Sequence, residues 1–409
     1  MKGALSGIRV LDLSRVLAGP WCGQLLADLG AEVIKIERPG TGDDTRGWGP
    51  PFLTDPAGRP TRESAYYLCA NRGKRSLAVD IASERGQALI RDLAARSDVV
   101  IENFKVGGLA RYGLDYESLR GVNPRLVYCS ITGFGQDGPY AERPGYDVLI
   151  QAMGGLMSLT GQPEGSPGGE PMKTGVAVAD LFTGVYASTA ILAALRHRDR
   201  TGEGQYIDMA LLDVQVAMLA NQALNYLVGG KVPQRAGNAH PNIVPYQVFA
   251  TADGHMVLAV GNDGQFRRFC QVAGLEGYAD DPAFATNAAR VAHRAQLVPV
   301  IAERIARGST TEWVEALQAA GVPCGPINTM DAVFADPQVQ HRGMQVRVPH
   351  ESAEHVDLVA CPIRMSATPP RPPQAPPRIG EHTRAILTGE LGLDEAAIAR
   401  LVEAGIVED

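Results

Sequence analysis

The polar and apolar positions of the first third of the chain follow two alternating rhythms. "GIRVLDLS" (Gly7–Ser14) and "EVIKIERP" (Glu32–Pro39) are short aliphatic runs and read as strands. Between them, "AGPWCGQLLADLGAE" carries Gly19-Pro20 in its first turn and Gly30 at its end, as a helix would. A βαβ unit is predicted. "RSLAVDIASERGQALIRDLAARSDVVIENF" repeats the theme: strand, helix with Ser83 as N-cap, and strand over Asp98–Phe104. "RLVYCSIT" (Arg125–Thr132) is a further strand. Strands alternating with helices predict an α/β fold with a mostly parallel sheet and helices on both faces. Such sheets bind ligands outside the carboxyl ends of their strands.

The pattern changes past the middle. "QYIDMALLD" (Gln205–Asp213) leads into a helical stretch to about Val228. Tyr246–Gly261 reads as a hairpin with Asp253-Gly254 at its turn. Short helices follow to about Ala320, one opened by Thr310 or Thr311, so a smaller α+β domain is predicted. Cys361–Thr383 is too rich in proline for a helix or central strand and reads as an extended strap. An amphipathic helix closes the chain. The expected division is 1–225 for the large domain, 226–328 for the small one, and 329–409 for the strap and return.

Composition narrows the function. Hydrophobic residues are 45% and charged residues 20% of 409, an ordinary globular balance. A net charge of −7 argues against nucleic-acid and anionic-membrane partners. Six scattered cysteines form no CxxC or Cys/His cluster, so no metal is expected and the compartment reads as reducing. The N-terminus has no signal-peptide pattern, and a cytoplasmic location is expected. No GxGxxG follows the first strand, so a dinucleotide fingerprint is absent.

The run from Thr174 to Leu195 is nearly apolar, and Asp180 is its only charge at neutral pH. It is long enough to span a bilayer, but a central Asp costs about 3 kcal/mol there. Its many small residues and missing aromatic belt favour a buried helix of a soluble protein. Asp180 reads as the N-cap of that helix. It also reads as a carboxylate held ionised by the helix dipole and stripped of water, hence a nucleophile. Basic residues collect in loops after strands: Arg38 and Arg46, "NRGKRS" with Arg72 and Lys74, and Lys105 and Arg111 beyond Asn103. Each alone reads as a solvated charge; together they suit a phosphate-bearing anion. His240 lies in a loop of Gly, Asn and Pro, without a paired histidine.

"SRVLAGPWCGQLLADLGAEVIKIERPGTGDDTR", "NRGKRSLAVD", "ENFKVGGLARYGLDYESL", "CSITGFGQDGPYAERPGYD" and "GVAVADLFTGVYA" resemble the class III CoA-transferases, the CaiB/BaiF family. The likeness runs on through "IVPYQVFATADGHMVLAVGNDGQF" and "GVPCGPINTMDAVFADPQVQHRGM". It implies a doubly wound Rossmann-like α/β large domain, a smaller inserted α+β domain, and a homodimer of interlinked subunits. It implies CoA transfer from an acyl-CoA to a carboxylic acid, with Asp180 as nucleophile and aspartyl anhydride and aspartyl-CoA intermediates. Coenzyme A would be a co-substrate, with no other cofactor and no metal. The implied CoA contacts are Val16, Ala18, Arg38, Arg72, Lys74, Asn103, Phe104 and Arg111. Arg15, Leu17, Tyr146, Asp147 and His240 would face the acids. The family's glycine-rich covering loop corresponds here to "GNDGQ", with Gly261, Gly264 and Gln265.

Departures sharpen the expectation. Formyl-CoA:oxalate transferases carry His and Gln where this chain has Arg15 and Leu17, which argues against oxalate. The likeness is nearer the dicarboxylate-using members, such as succinyl-CoA:glutarate transferases. α-Methylacyl-CoA racemases share the fold and use a His where this chain has Tyr146, so a two-base racemase would lack one base. A racemase-like isomerase and a non-catalytic CoA-binding protein are the alternatives.

Overall fold

The alternating segments build one seven-stranded sheet. The structure, a computed structural model, describes residues 3–409. The strands are β1 (Arg9–Asp12), β2 (Glu32–Glu37), β3 (Arg75–Val79), β4 (Val99–Glu102), β5 (Val127–Thr132), β6 (Tyr206–Ala210) and β7 (Val407–Glu408). Their order is β7-β3-β2-β1-β4-β5-β6. All neighbours run parallel except β7, which lies antiparallel to β3 with Val407 opposite Val79. The order from β3 to β6 is that of a dinucleotide-binding sheet, and it reverses direction between β1 and β4.

Helices cover both faces, which is why these strands are apolar at successive positions. On one face α2 (Glu84–Ala94) packs with α6 (Thr383–Leu391) and α7 (Glu395–Glu403), through Leu89, Ile90, Ile386 and Ile398. The other face holds α1 (Ala18–Asp28) and α4 (Val178–Thr201), through Cys22, Leu26, Ala187 and Ile191. Glycines set the spacing there. A Cβ on Gly184 would lie 2.7 Å from the Ala18 carbonyl oxygen, and one on Gly19 2.3 Å from the Ser14 side chain. The start of α4 is thereby held against the start of α1. The apolar run from Thr174 thus enters a helix of 24 residues, long and apolar enough to cross a membrane, with about half of its most apolar stretch buried inside the protein.

Several elements differ from expectation. The helical stretch towards Val228 is two helices, α5 (Leu211–Met218) and Ala220–Gly229, broken where Ala220 takes φ +44°. The chain closes on the short antiparallel strand β7, which the sequence did not signal. The Pro-rich strap is pinned by its backbone: the Gly73 amide donates to Gln374 O, and Arg46 Nη2 and Tyr67 Oη both donate to Pro377 O.

The chain divides into two units. The sheet unit runs to Leu156, then covers Thr174–Leu227 and Pro337–Asp409. The second unit covers Met157–Lys173 and Val228–Asp336. Its antiparallel sheet joins Tyr246–Ala250, His255–Ala259 and Cys324–Pro326 over a core with Phe249, Phe266, Leu297 and Trp313. Residues 157–173, which the sequence reading placed in the large domain, belong to this unit. Arg235 Nη2 donates to Gly169 O, and the Gly237 amide to Gly161 O.

Candidate active site

The reversal between β1 and β4 opens the crevice such sheets use for ligands. The loops beyond the two strands are tied together. The Arg15 amide donates to Asn103 Oδ1 at 2.9 Å, and Asn103 Nδ2 donates to Arg15 O at 2.7 Å. A cavity of about 220 Å³ lies there, lined by Arg15, Val16, Leu17, Ala18, Asn103, Phe104, Tyr146 and Asp180, among others. Val16 has φ +71°. A β-branched residue pays about 1–3 kcal/mol for that left-handed backbone, so its surroundings must enforce it. Its amide donates to Asp43 Oδ1 at 3.2 Å.

Asp43 belongs to a buried ionic layer. Lys35 Nζ donates to Asp43 Oδ2 at 2.8 Å and to Ser14 O at 3.0 Å. Burial by itself would raise the Asp43 carboxyl, but Lys35 and two bonds from Thr45 hold it at about 2. Lys74 is equally enclosed. Its ammonium donates to Asp12 Oδ2, Pro20 O and Asn71 Oδ1 at 2.8–2.9 Å. Arg46 is clamped between Glu37 and Glu63, with its guanidinium 3.6 Å from the Tyr67 ring centre. Arg72 donates to Asp28 and to Val359 O.

These pairs correct the sequence reading. Arg46, Arg72 and Lys74 were expected to face an anionic ligand, but each is buried with its donors taken by carboxylates and carbonyls. Arg38 and Arg111 remain exposed, Arg111 stacked on the Tyr112 ring.

Asp180 stands at the third position of α4, so it is not the N-cap. Ala177 holds that place and caps nothing with its side chain. The cap comes from elsewhere in the chain: Asp147 Oδ1 accepts the amides of Ala179 at 2.9 Å and Asp180 at 3.3 Å. Asp147 opens α3 (Asp147–Met153) and also accepts from Gln151 Nε2 at 2.6 Å. Two glycines let this loop cross the end of β5, since a Cβ on Gly145 would lie 2.3 Å from the Gly133 Cα. The Asp180 carboxylate receives no hydrogen bond from the described residues. Burial, with the Asp147 charge second, pushes it up to about 7. The dipole was expected to keep this carboxylate ionised; here desolvation outweighs it. The result is a poorly solvated carboxylate on the cavity wall.

The sequence model of CoA-transferase family III matches residues 5–383. The chain belongs to that family. It is 56% identical over 386 residues to the succinate–glutarate CoA-transferase of Agrobacterium fabrum, covering 94% of this chain and 95% of that one. It is 45% identical to the human succinyl-CoA:glutarate CoA-transferase, over 99% of this chain and 90% of that one. A CaiB/BaiF family protein from Brucella suis, solved by crystallography, superposes with a TM-score of 0.84 at 52% identity, covering 95% of this chain and all of that one.

Within this family III chain, the remaining predicted residues lie in the second unit. His240 is tied into its own loop: Nδ1 accepts the Asn242 amide at 3.1 Å, and its carbonyl accepts from Arg294. Gly261–Gln265 is not a free glycine loop. Asn262 caps the helix Asp263–Ala273, and Gln265 Oε1 accepts the Gly261 amide at 2.7 Å. Among the described residues, no cluster of three or more His, Cys, Asp or Glu could hold a metal. Sequence reasoning missed Asp43, which shapes the Val16 turn, and the aromatic pair Trp48 and Tyr66, packed edge to face at 5.1 Å. Burial, then the nearby Asp180 charge, pushes Tyr66 up to about 12. It also missed Asp44 and Arg143 on the cavity wall, whereas Lys105, read from the sequence among the ligand-facing cations, does line it. The polar loops after β2, β4 and β5 were the available signal.

Proposed function

We propose that this chain transfers CoA from a dicarboxylyl-CoA, with succinyl-CoA the leading donor, to a dicarboxylate such as glutarate, using Asp180 as the nucleophile. The state of Asp180 carries this reading: a half-buried carboxylate with no donor on its oxygens among the described residues, in a cavity at the sheet's reversal point. The substrate class follows the activities named for the relatives in Agrobacterium fabrum and human.

The Asp180 carboxylate attacks the thioester carbonyl, forming a mixed anhydride and expelling CoA thiolate. The thiolate attacks the aspartyl carbonyl of the anhydride, giving aspartyl-CoA thioester and the free donor acid. The acceptor carboxylate attacks this thioester, re-forming an anhydride and thiolate. The thiolate then takes the acceptor acyl group and regenerates the Asp180 carboxylate. The pantetheine arm is assigned to Val16, Ala18, Asn103 and Phe104, and the phosphates to exposed Arg38 and Arg111. Enclosure of the thioester limits hydrolysis. Tyr146, rather than a histidine, lines the cavity, which favours transfer over racemisation.

We also propose the interlinked homodimer. Phe182, Val185, Tyr186 and Leu192 lie exposed at helical spacing on α4, and Val148, Leu149 and Met153 are exposed on α3. Apolar residues left bare in this way suit a partner subunit.

Trapping tests the chemistry. Protein incubated with succinyl-CoA and no acceptor, then treated with hydroxylamine, should carry an aspartyl hydroxamate on the peptide Thr174–Arg196. Asp180→Asn should give no adduct and lose at least roughly a thousandfold in turnover. A hydroxamate on another carboxylate, or an active Asn variant, overturns the assignment.

A further inference from the structure

The proposed reaction leaves one charge unaccounted for. A dicarboxylate reacts through one carboxyl group while the other stays ionised. An anion held in a cavity beside Asp180 needs a cation there, since an unpaired buried carboxylate is strongly disfavoured.

Three cations line the cavity: Arg15, Lys105 and Arg143. Arg15 is already paired with Asp44 at 2.9 Å. Lys105 follows Asn103 and Phe104, on the segment assigned to CoA. Arg143 is differently placed. It shares its loop with Tyr146 and precedes by four residues Asp147, which caps the helix bearing Asp180. Its guanidinium stacks 3.9 Å from the Tyr140 ring centre, and Tyr140 packs edge-on against Phe134 at 5.6 Å. The cation–π contact holds the guanidinium over the ring and uses none of its N–H donors. Among the described residues the Arg143 side chain makes no hydrogen bond or ion pair, although Glu142 also lines the cavity. A pre-positioned guanidinium with free donors matches a carboxylate in bidentate fashion, which a lysine does not reproduce.

We infer that Arg143 binds the distal carboxylate of the dicarboxylate and so selects diacids over monoacids. This rests on the transferase reading above. Once the distal group is held, the reacting carboxyl is left to Asp180.

The test compares glutarate with its monomethyl ester as acceptors, in wild type, Arg143→Gln and Arg143→Lys. The ester keeps the length of the diacid and removes the distal charge. Arg143→Gln should raise the glutarate KM on the order of 10- to 100-fold. The half-ester KM and inhibition by free CoA should stay within about twofold. Arg143→Lys should fall between, because it keeps charge but loses the planar fork. Equal losses for diacid and half-ester overturn the inference. So does a matching rise in the inhibition constant of free CoA, which would place Arg143 on CoA instead. Wild-type protein that transfers CoA to no acid would bring down the transferase reading itself, a distinct result.

Discussion

Asp43 accepts the Val16 amide and Asp180 lines the cavity beside that residue, yet the two carboxylates differ in what surrounds them. Asp43 and Lys35 have fully buried side chains 2.8 Å apart, and Thr45 and Val16 supply the remaining donors. Asp180 has another carboxylate, Asp147, as its charged neighbour and, among the described residues, no donor on its oxygens. The first carboxyl is held at about 2 and the second pushed up to about 7. Burial acts in the same direction on both, so the partners decide the outcome. A completed set of partners makes scaffold. An incomplete set leaves a group that is costly to ionise and reactive once ionised.

Breaking the complete set gives the largest effect on stability. Lys35→Met leaves Asp43 buried without its counter-ion and should destabilise the protein by about 3–5 kcal/mol. The measurement is the urea midpoint at unchanged slope. Adding Asp43→Leu to Lys35→Met should recover part of the loss, since removing both charges leaves no unpaired ion. A cost under about 1 kcal/mol for the single variant would mean that water reaches Asp43 and the pair is not closed.

The same contrast explains what could be read from the sequence. The first five strands were legible because each is a short aliphatic run, and Asp180 because it is a lone charge in such a run; β6, with Asp208 at its centre, was read only as the lead into a helix. Arg46, Arg72 and Lys74 were misread because their carboxylate partners lie on other elements, 9 and 17 residues away for Arg46 and much further for the other two. Asp28 precedes Arg72 by 44 residues, and Asp12 precedes Lys74 by 62. Loop position alone does not tell whether a cation faces ligand or core. The N-cap of α4 was misplaced for a similar reason, since Asp147 lies 32 residues before the Ala179 amide it caps. The break at Ala220 falls in "AMLANQALNY", which contains no glycine or proline to mark it. The edge strand β7 is two residues long, too short for any periodicity.

Asp180→Asn sharpens the other half of the comparison through stability. The Asp180 carboxyl moves from an ordinary 3.8 to about 7 on folding. Below pH 4 folded and unfolded chains both hold the proton, and the residue has no effect. Between 4 and 7 the unfolded chain releases the proton while the folded chain keeps it, so wild-type stability falls as pH rises. Above 7 the full penalty applies. The shift corresponds to about 4 kcal/mol at most, and partial exposure of the side chain reduces this to roughly 1–2 kcal/mol. Asparagine does not titrate, and the helix keeps its Asp147 cap. The variant should therefore match wild type near pH 4 and melt several degrees higher at pH 8. A variant less stable than wild type at pH 8 would show that the helix dipole, rather than desolvation, governs this carboxylate.

The smallest expected change comes from Asp147→Asn. Asparagine keeps an oxygen that can accept the Ala179 amide, so the start of α4 should survive. What disappears is the like charge beside Asp180, the second contributor to its raised pKa after burial. Removing a negative neighbour favours the ionised form, so the Asp180 pKa should fall. Because burial remains, it should still lie above 3.8. If attack requires the carboxylate, the acid limb of the kcat/KM profile reports this ionisation in the free enzyme. That limb should move to lower pH by about half to one unit, roughly 1 kcal/mol. The plateau above pH 8 should change little, since Asp180 is ionised there in both proteins. An unmoved acid limb with an intact plateau would assign the whole shift to desolvation and leave Asp147 as a helix cap alone. A plateau lost together with the limb would mean that the substituted asparagine does not hold α4, and circular dichroism of the variant would separate the two outcomes.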